Sequence, residues 1–193
     1  MDLISVLNFL IEEFEKQKVN YALIGGLALQ SAGVTRATND IDMLILIDDK
    51  DKVKNILNKI DFELRHESAD VLNFFGTNIE QGRIDFIIAH RKYARGMLQR
   101  AKEFNILGHD KVKVAAIEDQ IGMKVQSSSN DKERYFKDMS DILLLIRNNQ
   151  DKINIGSIRE YFKLFKREED LEKVLSEIKN AWRYRKKRDV GRC

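Results

Sequence analysis

The chain has 193 residues, a net charge of +3 and no proline, and 43% of its residues are hydrophobic. This length supports one well-packed core with a helical extension. An internal disulfide framework is excluded, because the one cysteine is the last residue, Cys193. No apolar run approaches the ~18 residues of a membrane span and the N-terminus lacks a signal-peptide pattern, so we expect a cytoplasmic protein without a membrane partner.

The first half of the chain alternates between helical and strand-like patterns. Apolar positions with helical spacing predict helices at residues 2–17, 27–32 and 50–60. Short apolar or alternating runs predict strands at residues 21–24, 40–47, 62–66, 71–75 and 83–89. A glycine-bounded turn separates the last two strands, and we expect them to form a hairpin beside the strand that begins at Asp40.

The second half of the chain becomes helical after two short strands. Residues 103–107 and 111–114 indicate edge strands, and a helix from about residue 117 is expected to end at residues 127–130. Three further helices are predicted at residues 134–145, 155–167 and 169–181. The whole pattern predicts an α+β fold, in which a mixed sheet of about five strands is flanked by helices and followed by a C-terminal helical bundle. We place the domain boundary between residues 1–114 and 115–193.

Residues 21–47 carry the most informative pattern, YALIGGLALQSAGVTRATNDIDMLILI. The first strand ends at Gly25-Gly26, where the absence of a side chain lets the backbone turn sharply and lets a ligand approach closely. The N–H groups at the start of a following helix would face an anion such as phosphate. We therefore expect Gly25 and Gly26 to bind the phosphates of a nucleotide.

Asp40 and Asp42 lie two residues apart in the next strand, so both carboxylates project from one face while Ile41 and Met43 face the core. Two carboxylates this close repel each other unless a cation lies between them. Hard oxygen ligands beside a phosphate site indicate Mg²⁺ and a nucleoside triphosphate. A Gly-Gly turn and a solvated Asp-x-Asp are each common structural features, and it is their combination that indicates a functional site.

This stretch resembles the signature of the DNA polymerase β-like nucleotidyltransferase superfamily. In that signature an apolar residue and Gly-Gly or Gly-Ser are followed by a spacer and by Asp-apolar-Asp/Glu-apolar. The matching residues are Ile24-Gly25-Gly26 and Asp40-Ile41-Asp42-Met43, with residues 27–39 as the spacer. The run RATNDID at residues 36–42 is most similar to the AbiEii-type toxin nucleotidyltransferases and their uncharacterised relatives. The resemblance covers roughly the first three quarters of the chain.

The resemblance implies a minimal nucleotidyltransferase core that moves a nucleoside monophosphate from an NTP to a hydroxyl group. In that superfamily a third carboxylate on a later strand joins the first two, and Asp85 occupies the matching position. Asp40, Asp42 and Asp85 would then be the catalytic residues and the ligands of two Mg²⁺ ions, for which Mn²⁺ can substitute. The alternative for Asp85 is a structural carboxylate paired with a nearby arginine, because an unpaired carboxylate in a buried strand is costly.

The same resemblance implies further nucleotide-binding residues. Arg36 and Thr38 lie in the loop before the two carboxylates, and Lys124 lies on the first C-terminal helix. Asp138 belongs to an Arg-x-x-Lys-Asp-x-x-Asp run that matches the AbiEii-like group. The implied roles are a contact of Lys124 with the triphosphate and an orienting role for Asp138. The alternatives are an ordinary surface lysine and an i,i+4 pair of Asp138 with Arg134, worth a few tenths of a kcal/mol.

Positive charge is concentrated at the C-terminal end. Six basic residues and one acidic residue give residues 182–193 a charge of +5, which leaves −2 for the rest of the chain. Trp182 and Tyr184 lie among them, so the segment resembles a nucleic-acid contact, and a solvated tail is the alternative. The candidate contact residues are Arg183, Arg185, Lys186, Lys187 and Arg188.

The acceptor hydroxyl is left open by these motifs. The basic tail favours RNA, in particular a tRNA 3′ end, and the AbiEii resemblance implies a toxin–antitoxin setting with a cognate toxin or antitoxin protein as partner. The alternatives are adenylylation of a partner protein, nucleotidylation of a small molecule such as an aminoglycoside, and a catalytically inactive nucleotide-binding module. All three carboxylates are present, which favours an active enzyme.

Overall fold

The computed structural model describes residues 2–78, 81–90 and 92–190, and for residues 182–190 it describes the backbone alone. The chain divides into two compact units, Met1–Ala116 and Ile117–Cys193. The sequence analysis places the boundary after residue 114. Each unit has its own buried apolar residues, and each is described separately below.

The first unit contains a mixed sheet of seven strands. The strands are β1 (Tyr21–Ile24), β2 (Asp40–Leu46), β3 (Phe62–Glu67), β4 (Val71–Gly76), β5 (Arg83–Ala89), β6 (Lys102–Ile106) and β7 (His109–Val114). Their order across the sheet is β3-β4-β5-β2-β1-β7-β6. The β2–β5 and β1–β7 pairs are parallel and the other pairs are antiparallel. This architecture confirms the predicted α+β fold, including the β4–β5 hairpin beside β2.

Two expectations about the sheet are corrected. It has seven strands rather than about five, and β7 lies inside the sheet between β1 and β6 rather than at an edge. The contact of β7 with β1 is short, with Leu23 opposite Val114 in the register, and Ala115 donates its N–H to the carbonyl of Leu23 at 3.1 Å. This parallel contact joins segments that are some ninety residues apart, and no local sequence pattern specifies such a partner.

Four α-helices accompany the sheet: α1 (Leu3–Lys16), α2 (Gly25–Ala28), α3 (Lys50–Leu57) and α4 (Lys92–Arg100). The Asp2 side chain caps α1 by accepting the N–H of Ser5 at 2.8 Å, which satisfies one donor at the start of the helix. The predicted helix at 27–32 begins earlier, at Gly25, and continues beyond α2 as a 3₁₀ turn, Leu29–Ala32.

The core of the first unit lies between the sheet and one face of α1 and α3. Helix α1 contributes five buried apolar residues with helical spacing, Val6, Leu7, Leu10, Ile11 and Phe14, and α3 contributes Val53, Ile56 and Leu57. They pack with sheet residues that include Ile41 and Met43 of β2 and Phe86 of β5. The core therefore fixes the face of β2 and β5 that is turned away from it.

The second unit is helical. Its helices are α5 (Ile117–Asn130), α6 (Tyr135–Asn148), α7 (Ile155–Leu164) and α8 (Glu168–Val190). Helices α5 and α7 pack closely at Gly122, where a Cβ atom would lie 2.6 Å from the Tyr161 ring. The Tyr161 hydroxyl also donates a hydrogen bond of 2.6 Å to Asp119. Small size at residue 122 thus permits this helix contact.

Two helix boundaries differ most from the expectations. Helix α5 continues through residues 127–130, where a break was expected, because the hydroxyls of Ser128 and Ser129 donate to carbonyls one turn earlier and so stay satisfied within the helix. Helix α8 continues to Val190 instead of ending near residue 181. No glycine or proline interrupts its sequence before residue 191, so nothing local ends it.

Candidate active site

Asp40 and Asp42 project from the face of β2 that is opposite the core. Ile41 and Met43 between and beside them are fully buried in the core, whereas both aspartates are partly exposed. The predicted alternation along this strand is therefore confirmed. Side chains of a strand alternate between its two faces, so Asp40 and Asp42 share the face opposite Ile41 and Met43.

Asp85 lies on the neighbouring strand, directly opposite Asp42 in the parallel β2–β5 register. Its flanking residues Ile84 and Phe86 are fully buried, so Asp85 shares the face of the two β2 carboxylates. Asn73 of β4 is opposite Asp85 on the other side, and its amide donates a 2.6 Å hydrogen bond to Asp85 Oδ1. Three adjoining strands thus bring three carboxylates and an amide to one surface.

Arg83 is the first residue of β5, and its side chain contacts two of the three carboxylates. Its Nη2 is 3.1 Å from Asp40 Oδ2, and its Nε is 2.9 Å from Asp85 Oδ2. The guanidinium carbon is also 5.9 Å from the centre of the Phe75 ring on β4. The pairing with Asp85 matches the structural alternative considered for that residue. It is compatible with a catalytic role, because the Arg83 side chain is 40% exposed and can move.

Gly25 and Gly26 lie directly against the strand that carries the aspartates. A Cβ atom on Gly25 would lie 2.0 Å from Asp42 Oδ2, and one on Gly26 would lie 2.9 Å from the Thr38 side chain. Gly25 also has φ of +65°, which glycine adopts readily. The Gly26 N–H lowers the pKa of the Asp42 carboxyl, so it faces that group. The predicted contact of this amide with phosphate remains a prediction.

The electrostatic environment of Asp42 is unfavourable for a charged carboxylate. Burial raises the pKa of Asp42 above its ordinary value of 3.8, and the charges of Asp85 and Asp40 raise it further. The Gly26 N–H and the Arg83 guanidinium act in the opposite direction without cancelling the rise. This is the behaviour of carboxylates that are crowded together with too little positive charge.

The donor set fits a divalent cation. Three carboxylates on adjoining strands supply hard oxygen ligands, and a cation among them would relieve the repulsion that raises the pKa of Asp42. As the side chains stand, no group of three or more His, Cys, Asp or Glu residues in the described part of the chain is placed to hold a metal ion. Asp40 and Asp85 are instead paired with Arg83, so their carboxylates would have to turn toward a metal.

Arg36 and Thr38, both predicted to bind nucleotide, line a cavity of about 390 Å³ beside the site. Leu3, Leu27 and Leu107 form apolar parts of its wall, and Gln30 adds an amide. The Thr38 hydroxyl is 3.4 Å from the Asp40 backbone N–H, which connects the loop to the start of β2. The cavity volume lies in the range of small-ligand sites, and a nucleotide contact there stays a prediction.

Lys124 and Asp138 belong to the second unit, on α5 and α6, and both are buried. The Lys124 ammonium is 3.3 Å from Asp138 Oδ1 and 2.5 Å from Asp141 Oδ2. Arg134 lies 3.6 Å from the other oxygen of Asp138, which is the i,i+4 pair considered from the sequence. Lys124 is thus not an ordinary surface lysine, and its contact with a triphosphate remains a prediction.

The basic side chains Arg183, Arg185, Lys186, Lys187 and Arg188 lie outside the described side chains, although their backbone continues α8. Two residues of the candidate site were not predicted, Arg83 and Asn73. Each is a polar residue in a mostly apolar strand and shares the face of Asp85. That alternation was the signal that could have identified them.

Comparison with known proteins identifies the family of this chain. Residues 3–180 match the family described as nucleotidyl transferase of unknown function, DUF2204. Because the match extends over most of the chain, the protein belongs to this family. The comparison with curated proteins found no match.

Solved structures of similar fold are nucleotidyltransferases from several settings. The antibiotic-resistance factor ANT(2″)-Ia in solution has a TM-score of 0.65 and 15% identity, covering 92% of this chain and all of that one. An antigenic nucleotidyltransferase-like protein from Paracoccidioides brasiliensis has a TM-score of 0.56 and 21% identity, and the match covers 91% of this chain and 92% of that protein. The lincosamide adenylyltransferase LnuA, bound to lincomycin, has a TM-score of 0.52 and 20% identity, and the match covers 72% of this chain and 93% of LnuA. At these identities the likeness concerns the fold.

The protein is therefore a nucleotidyltransferase, for which a nucleotide substrate is expected. Enzymes of this class generally use divalent metal ions. Within the described residues, no helix combines the length and apolar character that crossing a membrane would demand.

Proposed function

We propose that the protein transfers a nucleoside monophosphate from an NTP to a hydroxyl acceptor at Asp40, Asp42 and Asp85. The observation that carries this proposal is the placement of these three carboxylates on the exposed face of adjoining strands, with Asp42 against the Gly25 turn. Carboxylates crowded in this way favour a dication, and the absence of a side chain on Gly25 lets Asp42 lie directly against the turn.

The reaction forms one bond and breaks one bond at the α-phosphorus. The acceptor oxygen attacks in line, the bond between the α-phosphorus and the bridging oxygen breaks, and pyrophosphate leaves with the electron pair. Asp85 accepts the proton of the acceptor hydroxyl, a role that suits a carboxylate held in position by Asn73. Two Mg²⁺ ions, or Mn²⁺ in their place, held by the three aspartates would neutralise charge on the phosphates and on the attacking oxygen.

RNA, in particular a tRNA 3′ end, is the acceptor that we favour. The five basic residues between 183 and 188 give the C-terminal segment a strongly positive charge, and phosphate backbones bind such segments. The AbiEii-type run at residues 36–42 extends the proposal to a toxin–antitoxin system with a cognate protein partner. Growth arrest on expression of the wild type, but not of Asp42→Asn, would support that setting.

A small-molecule acceptor is the second candidate. It is favoured by the similarity in fold to ANT(2″)-Ia, one structure of which holds adenylyl-2″-tobramycin, and to LnuA, which was solved with lincomycin. The chain covers 100% of the ANT(2″)-Ia chain in solution and so offers a catalytic unit of comparable extent. An acceptor hydroxyl on a small molecule needs no basic tail, which separates this candidate from RNA.

The test is transfer of label from each of the four α-³²P-NTPs in Mg²⁺ to total RNA, to cell lysate proteins, and to a panel of aminoglycosides and lincosamides. We expect label on RNA with the wild type and none with Asp42→Asn. Asp48→Asn is the matched control, because Asp48 is an exposed aspartate shortly after β2 and lies outside the site.

Each outcome assigns or removes a function. Label on protein would replace RNA with protein adenylylation, and label on an antibiotic would establish the small-molecule candidate. Equal transfer by Asp42→Asn and wild type would remove the three-aspartate mechanism. Nucleotide binding without transfer to any acceptor class would contradict the proposed reaction and leave a nucleotide-binding module.

A further inference from the structure

Arg83 is the one described cation with two ion pairs to the proposed metal ligands. Its Nη2 contacts Asp40 and its Nε contacts Asp85, while the three carboxylates together carry more negative charge than one guanidinium can neutralise. We propose that Arg83 is the counter-cation of the metal-free site, and that its guanidinium and a divalent cation compete for the same oxygens of Asp40 and Asp85. This inference rests on the metal site of the proposed function.

The arrangement around Asp85 separates a fixed oxygen from an exchangeable one. Asn73 donates to Asp85 Oδ1 at 2.6 Å, and Arg83 contacts Asp85 Oδ2 at 2.9 Å. The Arg83 Nη2 donates a hydrogen bond to Asp40 Oδ2, whereas its Nε forms an ion pair with Asp85 Oδ2 that lacks hydrogen-bond geometry. The guanidinium charge therefore lies beside the carboxylate oxygens that a metal would need. Asn73 keeps the carboxylate in place while its second oxygen changes partner.

The guanidinium keeps a contact with the Phe75 ring when a metal binds the carboxylates. The Arg83 side chain is 40% exposed, and its guanidinium carbon is already 5.9 Å from the centre of the Phe75 ring. A cation over an aromatic face retains a favourable interaction after losing its carboxylate partners. Phe75 itself is 42% exposed, so this position opens toward solvent. Arg83 therefore acts as a positioning residue that sets how readily the site accepts a metal.

Competition between Arg83 and the metal predicts the direction in which two substitutions of Arg83 change the affinity for Mn²⁺. Arg83→Gln removes the competing cation, and Arg83→Lys keeps the positive charge but loses the forked geometry that reaches both carboxylates. If the bridge is what opposes the metal, both variants bind Mn²⁺ more tightly than the wild type, Arg83→Gln by on the order of tenfold. If Arg83 acts only through its charge, Arg83→Lys binds Mn²⁺ as the wild type does.

The experiment is calorimetric titration of the full chain with Mn²⁺ alone, together with thermal melting in EDTA and at saturating Mn²⁺. We expect Arg83→Gln to melt below the wild type in EDTA, where the aspartates lose their counter-cation, and to match it at saturating Mn²⁺. Arg65→Gln is the control for lost charge, because Arg65 is an exposed residue of β3 that pairs with Glu63. It should bind Mn²⁺ as the wild type does.

The inference and the proposed function fail in different ways. Unchanged or weaker Mn²⁺ binding by Arg83→Lys overturns the competition, as does a melting deficit of Arg83→Gln that persists at saturating Mn²⁺. Should Arg83→Gln not fold, Arg83→Lys alone decides. If Asp42→Asn binds Mn²⁺ as tightly as the wild type, the metal site itself is wrong, and the proposed function and this inference are both removed.

Discussion

At the scale of single residues, the candidate site depends on the contact between Gly25 and Asp42. Two independent requirements meet at Gly25, because its φ is +65° and because Asp42 Oδ2 occupies the space where a Cβ atom would lie. Gly108, in the β6–β7 turn, has φ of +86° and no atom within 4 Å of its Cβ position. Both glycines thus have a positive φ, but only Gly25 has a neighbouring side chain in the place of a Cβ atom.

Gly25→Ala should lose activity and about 2–4 kcal/mol of unfolding free energy, because the strain of a positive φ adds to a collision with a carboxylate. Gly108→Ala should lose only about 1 kcal/mol, from the backbone strain. Urea unfolding and transfer assays measure both. A Gly25→Ala variant that is no less stable than Gly108→Ala would show that Asp42 moves aside at little cost.

The raised pKa of Asp42 predicts a pH-dependent stability of the metal-free protein. Burial first, and the charges of Asp85 and Asp40 next, favour the protonated carboxyl in the folded state. The folded state therefore binds this proton more tightly than the unfolded state, and the Asp42 contribution to stability falls as pH rises from the ordinary value of 3.8 through the raised value. Above the folded-state pKa of Asp42, the full destabilising contribution of its buried charge is present.

Asp42→Asn removes this charge and keeps an oxygen that can accept the Gly26 N–H. In EDTA it should raise the melting temperature near pH 7 and have no such effect below about pH 3.8, where Asp42 is protonated in both states. Saturating Mn²⁺ should reverse the order near pH 7, because only the wild type retains the ligand. A variant that melts below the wild type across the whole metal-free pH series would refute the electrostatic account.

At the scale of elements, α5 and α6 are joined by an ion cluster inside the second unit. Lys124 of α5 contacts Asp138 and Asp141 of α6, and all three are buried. Removing Lys124 takes the buried cation away from both carboxylates in a place that water reaches poorly, and the exposed Arg134 remains 3.6 Å from Asp138. The cluster therefore has a structural role that can be measured apart from any role in catalysis.

Lys124→Met should destabilise the protein by about 3–5 kcal/mol, because two buried carboxylates lose their cation. Adding Asp141→Asn to Lys124→Met should recover part of that loss. Lys173→Met is the matched control and should cost less than about 1 kcal/mol, since Lys173 is exposed and pairs with Asp170 at 3.5 Å. A small effect of Lys124→Met on stability together with a large rise in KM for NTP would instead favour the predicted triphosphate contact.

The helix boundaries show how side chains decide where an element ends. Three serines and an asparagine at residues 127–130 suggest a loop, yet Ser128 and Ser129 bond back to carbonyls of their own helix. The helix ends at Asn130, and Asp131 then accepts the N–H of Glu133 at 2.9 Å and caps the following 3₁₀ turn. Composition alone does not distinguish these two uses of a short polar side chain.

At the scale of the whole molecule, net charge is the property that bears on the acceptor. The rest of the chain has a charge of −2, so the C-terminal residues would supply the attraction to a polyanion. Glutamine at residues 183, 185, 186, 187 and 188 should weaken RNA binding and reduce the slope of log K against log salt. Fluorescence anisotropy with a labelled tRNA at several salt concentrations measures both.

A matched variant carries glutamine at five basic residues of the first unit, Lys16, Lys52, Lys54, Lys59 and Arg65. It lowers the net charge equally and should leave the salt slope near that of the wild type, because these residues are not in the basic segment. Equal weakening by both variants would show that RNA responds to total charge alone. Salt-insensitive binding of the wild type would count against an RNA acceptor.

The sequence by itself determined which face of β2 carries Asp40 and Asp42, since alternation along one strand is a local property, and it predicted the strand that holds Asp85. It also predicted the α+β class and the helical second half. Only the tertiary structure decided that Asp42 lies opposite Asp85, that Arg83 reaches Asp40, and that β1 pairs with β7. These contacts depend on register between strands that are distant along the chain, and the free energy that fixes register comes from packing of the whole sheet.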